Sequence, residues 1–285
     1  GSYSNGEQDM SILAADFDGN GMVDVVKIGS GSLNVHRNLL TAGSLINSSS
    51  FSAAISLTTT GTSNSIVSGD INGDGKIDLI SSSGSGIDIF INTSTTGAIS
   101  FNSKFTIASS PSNQVRVGDI DGDGLLDVIG FSGTNLKVYR NTYSSNTLSF
   151  SAAVSINSTN AITGIDVGDL NLDGKLDVVA STSTTVQIFL NNSTSGSISL
   201  TYTNSDLASG GGTNVILADF DNDGDIDVFV GARSLVATYG VNPSHQFLEN
   251  NGDGTFSDTT EISDVFNISP LINLVEGIVL IIAIF

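Results

Sequence analysis

The chain has no cysteine and no tryptophan, two histidines, and nine lysines and arginines together. Without cysteine there is no disulfide, no thiolate metal site and no cysteine nucleophile. With His36 and His245 as the only imidazoles, a zinc enzyme is not expected. The nine basic residues stand against 29 acidic ones, a formal net charge of −20. That balance excludes a nucleic-acid reader, which needs a basic footprint. It also argues against anionic membranes as the main partner. Charged residues make up 13% of the chain, too few for a coiled coil or a charged disordered segment. No run reaches the ~18–20 apolar residues of a membrane-crossing helix. The nearest, Ile278 to Phe285, ends the chain. The chain opens on Gly1-Ser2 without methionine, which fits a processed or trimmed start and leaves secretion open.

What is present is small, polar and apolar in alternation. The 285 residues allow one large domain or two ordinary ones, at ~100–200 residues each. A hydrophobic content of 39% supplies a core. Thirty-two glycines and abundant Ser, Thr and Asn point to turns and strands rather than long helices.

One nine-residue pattern occurs five times: DFDGNGMVD from Asp16, DINGDGKID from Asp70, DIDGDGLLD from Asp119, DLNLDGKLD from Asp169 and DFDNDGDID from Asp219. Successive starts lie 54, 49, 50 and 50 residues apart. A period near 50 in a β-rich chain means stacked units such as propeller blades. The surroundings repeat as well. A short apolar stretch precedes each loop, and Asp-Val-Val or a close variant follows it. A third segment alternates and ends in Asn, as in Leu33 to Asn38 and Ile87 to Asn92. A fourth begins near Phe51, Phe101, Phe150 and Ile198. Such alternation, bounded by Gly, Ser and Asn, reads as strands. The expected fold is an all-β propeller of four-stranded blades, five full repeats with a partial sixth allowed. Its blades lie at roughly 11–58, 65–108, 115–157, 162–203 and 213–262, in a single domain with an atypical tail at 263–285.

Positions 1, 3, 5 and 9 of each loop carry Asp or Asn. Position 7 varies as Met22, Lys76, Leu125, Lys175 and Asp225, as expected where only the backbone carbonyl is used. Position 6 is always glycine, which suits a sharp turn with positive φ. Ca²⁺ takes ~6–8 oxygen ligands, and such a loop reaches that number with one water, whereas Mg²⁺ demands stricter geometry. Asp, Asn and Gly also crowd ordinary turns, but five copies in register are not explained that way. Eighteen of the 29 acidic residues sit in the five loops and would repel one another without cations. Five Ca²⁺ ions would halve the net charge. An EF-hand needs Glu at position 12. Here that position holds Lys27, Ser81, Gly130, Ala180 and Val230, so the EF-hand is rejected.

With their Gly-Asp or Ala-Asp lead-ins, Ala15-Asp16 to Ala218-Asp219, the five loops resemble the FG-GAP/VCBS repeat family. That family includes the propeller of integrin α subunits and many secreted bacterial surface proteins. The stretch Leu248 to Asp258 is similar to the family's link between third and fourth strands. The resemblance implies Ca²⁺ ligands at Asp16, Asp18, Asn20 and Asp24, and at Asp70, Asn72, Asp74 and Asp78. It implies the same for Asp119, Asp121, Asp123 and Asp127, for Asp169, Asn171, Asp173 and Asp177, and for Asp219, Asp221, Asp223 and Asp227. About five calcium sites are therefore expected. Loops three and five, with four Asp ligands each, are expected to fill first. Asn20 removes a charge from loop one, and Leu172 replaces the usual glycine at position 4 of loop four. The family usually closes with seven blades.

Other groupings carry less. Asp166 lies near Asp169, but paired hydrolytic carboxylates need opposed placement around a substrate, and a plain strand residue is the simpler reading. His245 with Arg233 and Tyr239 marks a longer third-strand region in the fifth repeat, either a binding insertion or simple length variation. His36 reads as a solvated or capped strand residue. Sequons at Asn47, Asn92, Asn157, Asn192 and Asn267 are what an Asn/Ser/Thr-rich chain yields by chance. No nucleophile–base–orienter set is present, so no enzyme is expected. The tail from Leu271 to Phe285 reads as a closing strand, a truncated anchor or a frame-shifted stretch whose shifted codons spell a sixth Asp-rich loop. The nucleotide sequence decides that last reading. The function expected from all this is an extracellular or cell-surface adhesion or ligand-recognition module with a protein or glycan partner. A lectin or a non-catalytic appendage of a secreted enzyme is the alternative.

Overall fold

The computed structural model describes residues 12–41, 43–47, 49–108, 113–203, 207–208, 212–232 and 246–258. They contain strands and turns and no helix. Among the described residues no helix is therefore long and apolar enough to cross a membrane. The strands form five antiparallel sheets, each an up-and-down meander in chain order.

Sheet one runs β1 (Ile12–Ala15), β2 (Asp24–Gly29), β3 (Ser32–His36) and β4 (Ile55–Thr58). Sheet two runs β5 (Ser63–Gly69), β6 (Asp78–Ser83), β7 (Gly86–Phe90) and β8 (Phe105–Ala108). Sheet three has β9 (Val115–Gly118), β10 (Asp127–Ser132), β11 (Asn135–Tyr139) and β12 (Val154–Asn157). Sheet four has β13 (Ile162–Gly168), β14 (Asp177–Thr182), β15 (Thr185–Asn191) and β16 (Leu200–Tyr202), and β17 (Leu207–Ala208) also pairs on β15. Sheet five has β18 (Gly212–Ala218), β19 (Asp227–Ala232), β20 (Gln246–Asn250) and β21 (Phe256–Asp258). Each acidic nine-residue loop joins the first strand of its sheet to the second. The residues Phe51, Phe101 and Phe150 do not open the fourth strands. They form isolated bridges to Asn38, Asn92 and Asn141, a few residues ahead of β4, β8 and β12.

Sheets pack face to face, and the first strands lie side by side: β1 against β5, β5 against β9, β9 against β13, β13 against β18. This is the propeller arrangement, with first strands innermost. The hydrophobic core is correspondingly split into layers between sheets. Phe17, Val26 and Leu33 of sheet one meet Ile66, Leu79 and Phe90 of sheet two. Ile80 and Ile89 meet Val128 and Tyr139. Ile129 and Phe131 meet Ile165 and Phe189, and Val179 and Ile188 meet Val215 and Val228.

Sheets with a neighbour on each face lose the apolar–polar alternation. Every residue of β6, β7 and β14 is buried. Sheets one and five bury one face among the described residues, and β3 and β20 keep the alternation. The same asymmetry shows at loop position 2. Phe17, Ile71, Ile120 and Leu170 are at most 2% exposed under the following sheet, whereas Phe220 is 45% exposed.

Candidate metal centres

Each acidic loop is folded by its own carboxylates. The position 1 Oδ2 accepts the N–H of position 6, from Gly21 to Asp16 (2.7 Å) through to Gly224 to Asp219 (3.2 Å). The position 5 Oδ1 accepts the N–H of position 7, from Met22 to Asn20 (2.7 Å) through to Asp225 to Asp223 (3.1 Å). These Asx turns wind the chain through the left-handed region at positions 4 and 6. Position 6 is glycine throughout, and position 4 is glycine in three loops. Leu172 holds φ +58° there, a conformation that costs a residue with a β-carbon about 1–2 kcal/mol.

Position 9 has a second duty that the spacing does not reveal. Asp24, Asp78, Asp127, Asp177 and Asp227 are buried. Through Oδ2 each accepts the N–H of position 2, at 2.9–3.0 Å. Through Oδ1 each accepts the N–H of Asn38, Asn92, Asn141, Asn191 or Asn250, at 2.7–2.9 Å. This carboxylate thus ties the loop to the third segment of its own sheet.

That asparagine then ties two sheets together. Nδ2 of Asn92 donates to Ile77 O in its own loop and to Phe17 O in the preceding one, both at 2.9 Å. Asn141 bonds Leu126 O and Ile71 O, Asn191 bonds Leu176 O and Ile120 O, and Asn250 bonds Ile226 O and Leu170 O. Asn38, in the first sheet, donates to Val23 O of its own loop.

Burial raises the carboxyls of Asp24, Asp78, Asp127 and Asp177, against the pull of their two N–H donors and with the push of the other loop carboxylates. Asp78 and Asp127 are pushed up to about 6, and Asp24 and Asp177 are raised as well. A raised folded-state value means that the folded chain holds a proton which the unfolded chain has already released. Between the unfolded value near 4 and about 6, these groups therefore make metal-free stability fall as pH rises. In EGTA the melting temperature should drop between pH 4.5 and 7, and Asp127→Asn should flatten that drop. A wild-type and a mutant profile of equal slope would refute the assignment.

In three loops the carboxylates converge. One oxygen from each of Asp16, Asp18 and Asp24 lies within 4.8 Å of the others, and the same holds for Asp119, Asp121 and Asp127 and for Asp219, Asp221 and Asp227. In loops two and four position 3 is Asn72 and Asn171, so an amide oxygen takes that place. The buried Asp18 Oδ1 has no hydrogen-bond partner. Clustered oxygens, one of them buried without a donor, fit a hard cation.

Two arginines outside the loop pattern enter the site. Arg37 Nε donates to Asp18 Oδ2 (2.5 Å), and the N–H of Gly97, from the hairpin of the next sheet, reaches the same oxygen (3.1 Å). Arg140 Nε donates to Asp121 Oδ2 (2.5 Å) and Nη2 to Asp123 Oδ2 (2.7 Å), with Gly196 N–H again on Asp121 (2.8 Å). Burial pushes the Asp18 and Asp121 carboxyls up, but the guanidinium and the glycine N–H outweigh it and leave both lowered. A sequence signal existed. The arginine follows the position 3 aspartate by 19 residues in both repeats, while the repeats with Asn at position 3 carry Ile91 and Leu190 at the matching place. Arg140 offsets one charge of loop three, so loop five, with five aspartates, is the more negative. The expectation that loops three and five fill alike is modified accordingly. Arg140→Met should lower metal-free stability by about 2 kcal/mol and enlarge the gain in melting temperature on adding metal. An unchanged gain would show that Arg140 is no counter-ion.

The remaining candidates resolve simply. Asp166 accepts Arg116 Nε (2.8 Å) and Leu217 N–H (3.0 Å), fastening the first strands of three sheets. His36 Nδ1 lies 3.0 Å from Ser52 O as a capped strand residue. Asn92 of the second sequon is buried in the inter-sheet bond above. Arg233, Tyr239, His245, Asn267 and the tail at 263–285 lie outside the described residues.

Among solved structures, the chain is similar to a lectin of Agrocybe aegerita described as recognising non-reducing terminal N-acetylglucosamine. The TM-score is 0.55 and the identity 20%, over 87% of this chain and 65% of that one. It thus spans less than two thirds of that lectin. It is also similar to the rhamnogalacturonan lyase YesW, with TM-score 0.47, 15% identity, and coverage of 90% and 52%. At these identities the likeness concerns the fold. No curated protein sequence matches. The model of the FG-GAP-like repeat matches four overlapping stretches, residues 16–81, 70–130, 119–180 and 169–230. Each stretch spans two successive acidic loops, so all five loops are included, and the chain belongs to the FG-GAP-like repeat family.

Proposed function

We propose that this chain is a calcium-stabilised adhesion or ligand-recognition module without catalytic activity, working outside the cell or on its surface. The observation that carries the reading is the convergence of carboxylates in three of the loops, in one of which the buried Asp18 Oδ1 has no hydrogen-bond partner. Positions 1, 3, 5 and 9 would hold the ion with the carbonyl of position 7. When bound, Ca²⁺ supplies positive charge that neutralises the clustered carboxylates and locks the loop. Extracellular calcium suffices even for sites of ~10⁻⁴–10⁻³ M affinity, which favours that setting. The chain's own residues do the rest. Position 9 couples a filled loop to the third-segment asparagine, and through it to the neighbouring sheet.

A carbohydrate-binding role is the second reading. A cavity of about 280 Å³ opens between loops three and four, with Asp121, Lys175 and Ser193 on its wall. Its size suits a small polar ligand, and a fold relative is named for binding a sugar. Against it stands the lack of tryptophan for a sugar platform. A glycan array with and without Ca²⁺ separates the two. A calcium-dependent glycan signal lost in Lys175→Ala supports the lectin. A blank array, with Ca²⁺ binding shown by calorimetry, supports protein recognition. Failure to bind Ca²⁺ in calorimetry overturns the calcium reading itself.

A further inference from the structure

Position 7 of loop five is unlike position 7 elsewhere. In loops two and four it is lysine. Lys76 Nζ donates to Ser94 O (2.9 Å) and Lys175 Nζ to Ser193 O (3.1 Å). Ser94 and Ser193 each lie two residues past the third-segment asparagine and give their N–H to its Oδ1, both at 2.8 Å. Gly252 holds the same place in sheet five, two residues past Asn250, with its N–H on Asn250 Oδ1 (3.1 Å). The residue whose carbonyl accepts a lysine ammonium in sheets two and four thus has its positional counterpart in Gly252, which holds φ +79°.

Loop five places Asp225 there instead. Its carboxylate packs on Gly252: a β-carbon at that glycine would stand 3.1 Å from Asp225 Oδ2. Asp225 is 8% exposed, and its Oδ1 has no hydrogen-bond partner. The Asp223 carboxylate lies within hydrogen-bond reach. Among the described residues no arginine relieves this. Where sheets one and three carry Arg37 and Arg140 before the asparagine, sheet five carries Glu249. Two carboxylates and a backbone turn that elsewhere accepts a cation thus lie together, with the Asp225 N–H on Asp223 Oδ1 (3.1 Å) and no cationic side chain on them among the described residues. Such a buried anion is costly unless a proton or a positive partner neutralises it.

We propose that a second divalent cation, distinct from the ion of loop five, occupies the place of the lysine ammonium, held by the carboxylates of Asp225 and Asp223 and the carbonyl oxygen of Gly252. All three ligands are oxygens, which selects a hard cation such as Ca²⁺. The two positions share Asp223, position 5 of the loop, and differ in that the cluster of Asp219, Asp221 and Asp227 around the loop ion does not include Asp225. The ion's identity rests on the calcium reading of the loops; the site itself rests on Asp225.

Counting bound Ca²⁺ by native mass spectrometry tests it, with the purified chain in wild-type, Asp219→Ala/Asp221→Ala and Asp219→Ala/Asp221→Ala/Asp225→Lys forms. The expected result is one ion lost in the double variant and one more in the triple, because the introduced lysine supplies its own ammonium. Equal counts in the double and triple variants overturn the proposal. Equal counts in wild type and double variant, with a loss only in the triple, sink the loop reading and keep this one. Asp225→Lys alone should also melt higher than wild type in EGTA, and Asp225→Asn should move the same way. If both melt lower, the carboxylate needs no cation and the proposal fails.

Discussion

Removal of calcium with EGTA is expected to lower the melting temperature of this protein by more than about 10 °C, and Ca²⁺ is expected to restore it better than Mg²⁺. The size follows from mass action. An ion bound only by the folded state contributes about 2.7 kcal/mol per site at a hundredfold excess over its Kd. For a chain of this length each kcal/mol moves the melting point by roughly 2–4 °C. Several loops acting together exceed the stated shift. Loop five, with five aspartates and no arginine on it among the described residues, should open first. Mg²⁺ restores less because it dehydrates reluctantly and fits an irregular set of oxygens poorly. The measurement is a thermal scan in EGTA, in Ca²⁺ and in Mg²⁺. Superimposable curves in EGTA and Ca²⁺ would remove calcium from the account of this fold.

The second large effect lies away from the carboxylates. Asn191→Ala should cost about 3–5 kcal/mol. Asn191 is 1% exposed. Its Nδ2 serves Ile120 O and Leu176 O, and its Oδ1 accepts Ser193 N–H. The alanine leaves two buried carbonyls and one N–H unpaired. Asn38→Ala removes one carbonyl partner and the Leu40 N–H, at a partly exposed site. Its cost should be about 1 kcal/mol. Urea unfolding of both variants at saturating Ca²⁺ gives the comparison. Equal losses would show that the bond between sheets is not what makes the asparagine matter.

Local physics was legible in the chain. The five DxDxDG-type loops, their period near 50 residues and the alternating third segments mark four-stranded repeats because strand and turn chemistry act over a few residues. Positive φ at position 6 followed from glycine alone, and the acidic clusters followed from spacing. The sixth-blade and tail readings fall on residues outside the described structure.

What needed the tertiary structure is everything that joins residues distant in sequence. Asp18 and Asp121 are each partly neutralised by an arginine 19 residues later and by a hairpin N–H some 75–79 residues away. The third-segment asparagine reads as a strand terminator in the sequence, yet it pairs carbonyls 70–80 residues back in the preceding sheet. Loop charge, counted as a string of letters, ranked loops three and five together. The fold separates them, since Arg140 folds onto one and Glu249 stands at the matching place in the other. Alternation sets which way a side chain points within its own strand. Whether a carboxylate meets a guanidinium, an amide or another carboxylate is decided only when the sheets stack, because electrostatic and hydrogen-bond energies depend on distances that the covalent chain leaves free.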